Sequence, residues 1–174
     1  MSYQSEVIIY ATEDIMQHIL QLCKKHNVEE PNVVLGNCHM YPKRSTHPEA
    51  KYLPPFSINN PEYNQNIYKI HWSSVKWNKD DHSRPGPDKI MNYLQNWDKK
   101  HKEFSDVAIL DRDGYVRSLQ AWSFFRFGSD FEDHEHFESR FVEELSIKFI
   151  FPKVTLDEGS CFEGYMNCDE LEGL

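Results

Sequence analysis

Residues 6–35 read EVIIYATEDIMQHILQLCKKHNVEEPNVVL, and the fold class follows from how that stretch divides. Glu6-Val7-Ile8-Ile9-Tyr10 is short, apolar and largely β-branched, the composition of a strand. Thr12 then stands where a helix N-cap belongs, with Glu13 and Asp14 in the first turn, where carboxylates complement unpaired N–H groups. Ile15, Ile19, Leu22 and Cys23 recur at helical spacing, and Lys24, Lys25 and His26 suit the carbonyl end of the same helix. Asn32-Val33-Val34-Leu35-Gly36, after Pro31, reads as a second strand. The stretch predicts a β-α-β opening, with its two strands either adjacent or held in separate positions of the sheet.

Outward from there the chain alternates the same two periods. Between about His39 and Gln65, Pro42, Pro48, Pro54, Pro55 and Pro61 interleave with Tyr41, Tyr52, Phe56 and Tyr63, which predicts a long Pro/Tyr-rich loop over residues 39–65. The loop is either a binding loop or a wrap anchored to the core by its aromatics. Asn66 to Trp77 alternates as a half-buried strand does. Ser83 to Asp88 opens a second helix on Ile90, Leu94 and Trp97, closed by Lys99, Lys100, His101 and Lys102. Val107 to Asp111 and Tyr115 to Trp122 read as two strands joined at Asp113-Gly114, a hairpin signal. Asp130 to Leu145 is expected to be helical through Phe137, Phe141 and Leu145, and Ser146 to Leu156 returns to strand. The expectation is a single α+β domain over residues 1–156, a mixed or mostly antiparallel sheet of five to seven strands packed with two or three helices. Residues 157–174 are expected to form an acidic C-terminal tail.

Charge is distributed unevenly. The 174 residues carry a formal charge of -9, but residues 1–127 hold 16 basic and 15 acidic side chains while residues 128–174 hold 3 and 13. A chain of this length buries about 70% of its unfolded surface, enough for a true core. Nucleic acid is an unlikely partner, because phosphate binding requires a surplus of Lys and Arg. Four Cys without zinc-ribbon spacing imply reduced thiols rather than a disulfide scaffold. The N-terminus lacks a basic region followed by an apolar run, and no window is long and apolar enough to span a membrane, so a cytoplasmic location is expected.

Two clusters carry candidate chemistry. Val107-Ala108-Ile109-Leu110-Asp111-Arg112-Asp113-Gly114 resembles the first motif of haloacid-dehalogenase-type phosphatases, a strand ending in Asp-x-Asp-Gly. That resemblance covers eight residues and implies Asp111 as nucleophile and Asp113 as acid/base, with magnesium between them. The simpler reading is a hairpin turn, since a strand rather than a helix follows and only 60 residues remain after it. In the second cluster a helix would bring Asp130, His134 and Glu138 onto one face, at spacing suited to a divalent metal or to His134 as an acid/base group. The order His-Glu-His-Phe-Glu differs from the His-Glu-x-x-His zinc pattern, and the simpler reading has the acidic run capping the helix. No glycine-rich phosphate loop is present.

The acidic surplus remains, with Asp130, Glu132, Asp133, Glu135 and Glu138 beside Phe137. One-signed charge with apolar anchors suits a strongly basic partner. The leading expectation is therefore a non-enzymatic protein, without cofactor, that occupies a basic protein partner through those six residues and Tyr41, Tyr52 and Tyr63. Immunity, inhibitor and anti-defence proteins, including nucleic-acid mimics, use this physics. The alternative is a small metal-dependent hydrolase or phosphoesterase using Asp130, His134 and Glu138, with Asp111 and Asp113 as further candidates.

Overall fold

A computed structural model describes residues 4–36, 39–42, 66–77, 86–128, 133–139, 147–150, 153–157 and 160–164. In chain order the elements are β1 (Ser5–Thr12), α1 (Glu13–Lys25), β2 (Asn32–Leu35), β3 (His39–Pro42), β4 (Ile67–Val75), α2 (Pro87–Lys100), α3 (Phe104–Val107), β5 (Ala108–Leu110), β6 (Val116–Leu119), β7 (Trp122–Phe127), β8 (His134–Glu138), β9 (Ile147–Ile150), β10 (Lys153–Asp157) and β11 (Ser160–Gly164). They form one α+β domain. Its main sheet is antiparallel and five-stranded, in the order β2-β4-β1-β7-β8, with β3-β9, β5-β6 and β10-β11 as separate pairs. The β10-β11 hairpin crosses the expected boundary between residues 156 and 157. Among the described residues no helix is long and apolar enough to cross a membrane.

The β-α-β opening is split. Because β4 pairs antiparallel with both β1 and β2, those two strands run parallel with β4 between them. β4 and β7 are likewise parallel on either side of β1, joined through α2. Two interleaved β-α-β units of this kind make the ferredoxin-like arrangement, here extended by β8 at one edge.

Cross-strand register sorts the side chains. Val7, Ile9 and Ala11 share one face with Tyr68, Ile70 and Trp72 of β4 and with Trp122, Phe124 and Arg126 of β7. The Trp72 indole donates to the Glu29 carbonyl at 2.7 Å, just beyond α1, which marks this as the helix side. α1 buries Ile15, Met16, Ile19 and Cys23, while α2 buries Ile90, Met91, Leu94 and Trp97. The helices meet where His18 stacks on Tyr93, ring centroids 4.1 Å apart. On the opposite face Ile8, Tyr10 and Ile67 are also fully enclosed, so β1 is buried on both sides. An apolar run such as Val7-Ile8-Ile9-Tyr10, without polar alternation, is what such a strand requires.

Several local expectations change. Thr12 occupies the N-cap of α1 but makes no side-chain cap bond; its hydroxyl donates to Gln120 Oε1 at 2.5 Å and accepts from the Ala121 N–H at 3.4 Å. The expected strand from Tyr115 to Trp122 is broken at Gln120 and Ala121, with β6 going to the hairpin and β7 to the main sheet. A short α3 precedes the hairpin, closed by a capping box between Glu103 and Asp106. The largest correction is β8: within the expected 130–145 helix, His134 to Glu138 form a strand paired with β7. His and Phe are weak helix formers, and the unpaired side of β7 offers this segment backbone partners that a helix would forgo.

Candidate functional site

Strand β8 carries most of the described residues singled out for binding, and among the described residues it is one of the two edge strands of the sheet. Its pairing with β7 sets Glu135 opposite Arg126 and Phe137 opposite Phe124 on the helix side. His134, His136 and Glu138 lie opposite Phe127, Phe125 and Ser123 on the other face. The Gly128 N–H donates to the Asp133 carbonyl at 2.7 Å and the Ser139 N–H to the Trp122 carbonyl at 2.9 Å. Antiparallel alternation then points the backbone groups of Glu135 and Phe137 at β7 and those of His134, His136 and Glu138 away from the sheet.

Arg126 organises the helix-side corner and has no counterpart in the sequence-level reading. Its side chain is 0% exposed. Nε donates to Glu135 at 2.6 Å, the terminal nitrogens bridge both oxygens of Asp133, and Nη1 also donates to Ser5 Oγ at 3.1 Å. A buried guanidinium requires such partners, because an unpaired charge in this position would cost several kcal/mol. Among the described residues two carboxylates share this one cation, which leaves a single negative charge unbalanced. Burial, and then Glu135 alongside, push the Asp133 carboxyl above its ordinary range, with His134 opposing. Desolvation is thus the main cause of the upward direction, and the neighbouring carboxylate adds to it. The available signal was the single cation in the aromatic strand Trp122-Ser123-Phe124-Phe125-Arg126-Phe127.

On the other face the His136 ring lies flat on Phe125 at 4.3 Å. Its Nε2 is 3.1 Å from Glu138 Oε1 and 3.4 Å from Ser123 Oγ. A serine-histidine-carboxylate relay needs the hydroxyl and the carboxylate on opposite ring nitrogens, whereas both groups here meet the same one. Farther along the sheet His71 Nε2 pairs with Glu6 Oε1 at 2.7 Å. Among the described residues no group of three or more His, Cys, Asp or Glu is placed to hold a metal ion. The helical face expected to join Asp130, His134 and Glu138 does not form, because this segment is extended.

Asp111 and Asp113 belong to the separate β5-β6 hairpin. Asp111 Oδ1 accepts the N–H groups of Asp113 and Tyr115, each at 2.9 Å, and Oδ2 accepts Arg117 Nε at 2.8 Å. Gly114 supplies the positive φ of the turn, +87°. Both Asp111 oxygens thus organise the hairpin, and Asp113 is exposed. Of the remaining candidates, Asp133 and Glu135 are turned onto Arg126, Glu138 pairs with His136, and Phe137 is 42% exposed while packing on Phe124. Tyr41 lies in β3. Tyr52, Tyr63, Asp130 and Glu132 fall outside the described residues. Comparison of the chain with protein-family models, curated proteins and solved structures finds no match.

Proposed function

We propose that this chain is a binding protein that occupies a strongly basic partner. The observation that carries the reading is the unbalanced carboxylate at this corner of the sheet: among the described residues, Asp133 and Glu135 face Arg126 alone. Glu138 and the half-exposed Phe137 lie on the same strand, so charge and an apolar anchor coincide. The same segment begins the stretch of residues 128–174 in which 13 acidic side chains face 3 basic ones. Complementary charge accelerates encounter with a basic surface, and an aromatic anchor adds affinity once water is excluded. Inhibitors and nucleic-acid mimics present this combination to a phosphate-binding site, which is itself basic.

The test is binding of the intact protein to lysine-rich and arginine-rich basic proteins at low and high ionic strength, beside thermal melts with Mg²⁺, Mn²⁺ and Zn²⁺. Binding that weakens steeply with salt, and melts that no metal shifts, are expected. A metal-dependent rise in melting temperature with no salt-sensitive binding would replace this reading with the hydrolase alternative.

A further inference from the structure

We propose that the basic partner is engaged as an added β-strand on the outer side of β8, by an extended segment in which cationic and apolar residues alternate. This rests on the basic-partner reading and specifies its mode. Three features of β8 carry it. The backbone N–H and C=O groups of His134, His136 and Glu138 point away from β7, and among the described residues no strand pairs with them. Such a row is a template for one more strand, with main-chain bonds supplying affinity and alternate side chains supplying selectivity.

Charge selects the occupant. A strand laid along β8 places alternate side chains beside Glu135 and Phe137 on the helix side, and beside His134, His136 and Glu138 on the other face. A lysine or arginine next to Glu135 supplies the second cation that, among the described residues, Asp133 and Glu135 lack around Arg126. The next cation on that face, two residues along the segment, covers the exposed Phe137 ring with its methylene stem and charge, while the apolar residues fall beside His134, His136 and Glu138. An acidic segment would meet like charge, and nucleic acid offers neither strand backbone nor positive charge.

The opposite edge of the sheet differs in kind. β2 exposes Val34 and Leu35, 45% and 53% respectively, over four residues that bear no charge. Its nearest carboxylates in sequence, Glu29 and Glu30, precede the strand rather than lie on it, so the β2 residues themselves offer a basic segment no charge, and this edge serves as an internal control.

The experiment uses the intact chain and a labelled ten-residue peptide alternating lysine and valine, with a second peptide of the same composition that groups its lysines and valines in blocks. Amide hydrogen exchange is read with and without peptide. The alternating peptide is expected to slow exchange at His134, His136 and Glu138, leaving Val33 and Leu35 unchanged, and to bind more tightly than the block peptide. H136P removes one outward N–H while leaving the β7 ladder intact, since proline is accepted where an edge N–H faces solvent. It is expected to weaken the alternating peptide at least tenfold, with a retained cooperative melt. E138Q removes one charge from the same strand without touching the Arg126 clasp, and should weaken peptide binding by about twofold at low salt and little at high salt.

Protection at β2, or equal binding of the two peptides with no protection at β8, overturns the strand-addition mode and leaves the basic-partner reading in place. Slowed exchange along β8 without peptide, together with dimers in sedimentation, overturns it in favour of a second copy of this chain. If neither lysine peptide binds at low salt, the underlying reading fails and the proposal falls with it.

Discussion

Arg126 and Glu135 face each other across the β7-β8 ladder, and the fully enclosed guanidinium donates its Nε–H to that carboxylate at 2.6 Å. Asp133 takes the other end of the fork. Removing only the cation strands two carboxylates that are mostly withdrawn from water. R126M is expected to lower stability by about 3 kcal/mol or more at neutral pH, measured by urea denaturation. The triple replacement R126M/D133N/E135Q should recover much of that loss, because the surviving groups are neutral. If R126M alone is as stable as the parent protein, the triad does not hold this corner.

Trp72 and Trp122, both on the helix side of the sheet, make opposite predictions. Trp72 donates to the Glu29 carbonyl, whereas the buried Trp122 Nε1 has no hydrogen-bond partner among the described residues. W72F removes a bond and leaves a carbonyl unsatisfied, a change expected to cost about 1–3 kcal/mol beyond lost packing. W122F deletes an orphaned donor and should cost less than W72F by about 1 kcal/mol. Equal losses in paired thermal melts would contradict this.

Gly86 precedes α2 with φ of +118°, and a Cβ built there would lie 2.5 Å from Val28 Cγ2. G86A therefore meets both backbone strain and a clash, with an expected loss of about 2 kcal/mol or more. V28A in the same chain relieves the clash alone, so G86A should cost less in that background than in the parent protein without becoming neutral. A G86A protein that melts with the parent would refute the assigned backbone conformation.

Asp111 ties the β5-β6 hairpin to pH. Partial desolvation pushes its carboxyl up, but the Tyr115 N–H, the Arg117 side chain and the Asp113 N–H together hold it below its ordinary value. A lowered folded value means that this contribution is present above the unfolded carboxylate value, about 4, and is lost as pH falls through the lower folded one. The Asp113 and Tyr115 amide resonances should titrate with a midpoint below about 4 and report a local opening of the turn. In D111N, whose amide nitrogen cannot accept from Arg117, that titration should vanish. A midpoint at or above 4 in the parent protein would exclude the anchoring role.

What could be read from sequence divides along the range of the interactions. β1, α1 and α2 were legible because the apolar runs and the charged ends that make them lie within a dozen residues, and Asp113-Gly114 encodes its turn locally. β8 was not, because its five residues are extended only in the company of β7. Phe137, Phe141 and Leu145 also match a helical period, so pattern alone favoured the wrong element. The placement of β4 between β1 and β2 depends on pairing across a stretch of more than thirty residues that local propensity does not register. At the site, the acidic and aromatic character of residues 130–138 was visible, but not that Asp133 and Glu135 turn back onto the chain's own Arg126, since a lone cation in the aromatic run 122–127 signals burial without naming its partners.

The position of β1 also bears on synthesis. Its first hydrogen-bonding edge is completed only by residues 67–75 and its second only by residues 122–127. At ribosomal speeds of about 5–20 residues per second, this strand, which ends up buried on both faces, leaves the ribosome roughly 3–12 seconds before its first partner exists. Pairings this distant slow folding and leave the nascent strand in need of shelter, so yield during expression should depend on chaperone supply more than the stability of the finished domain would suggest.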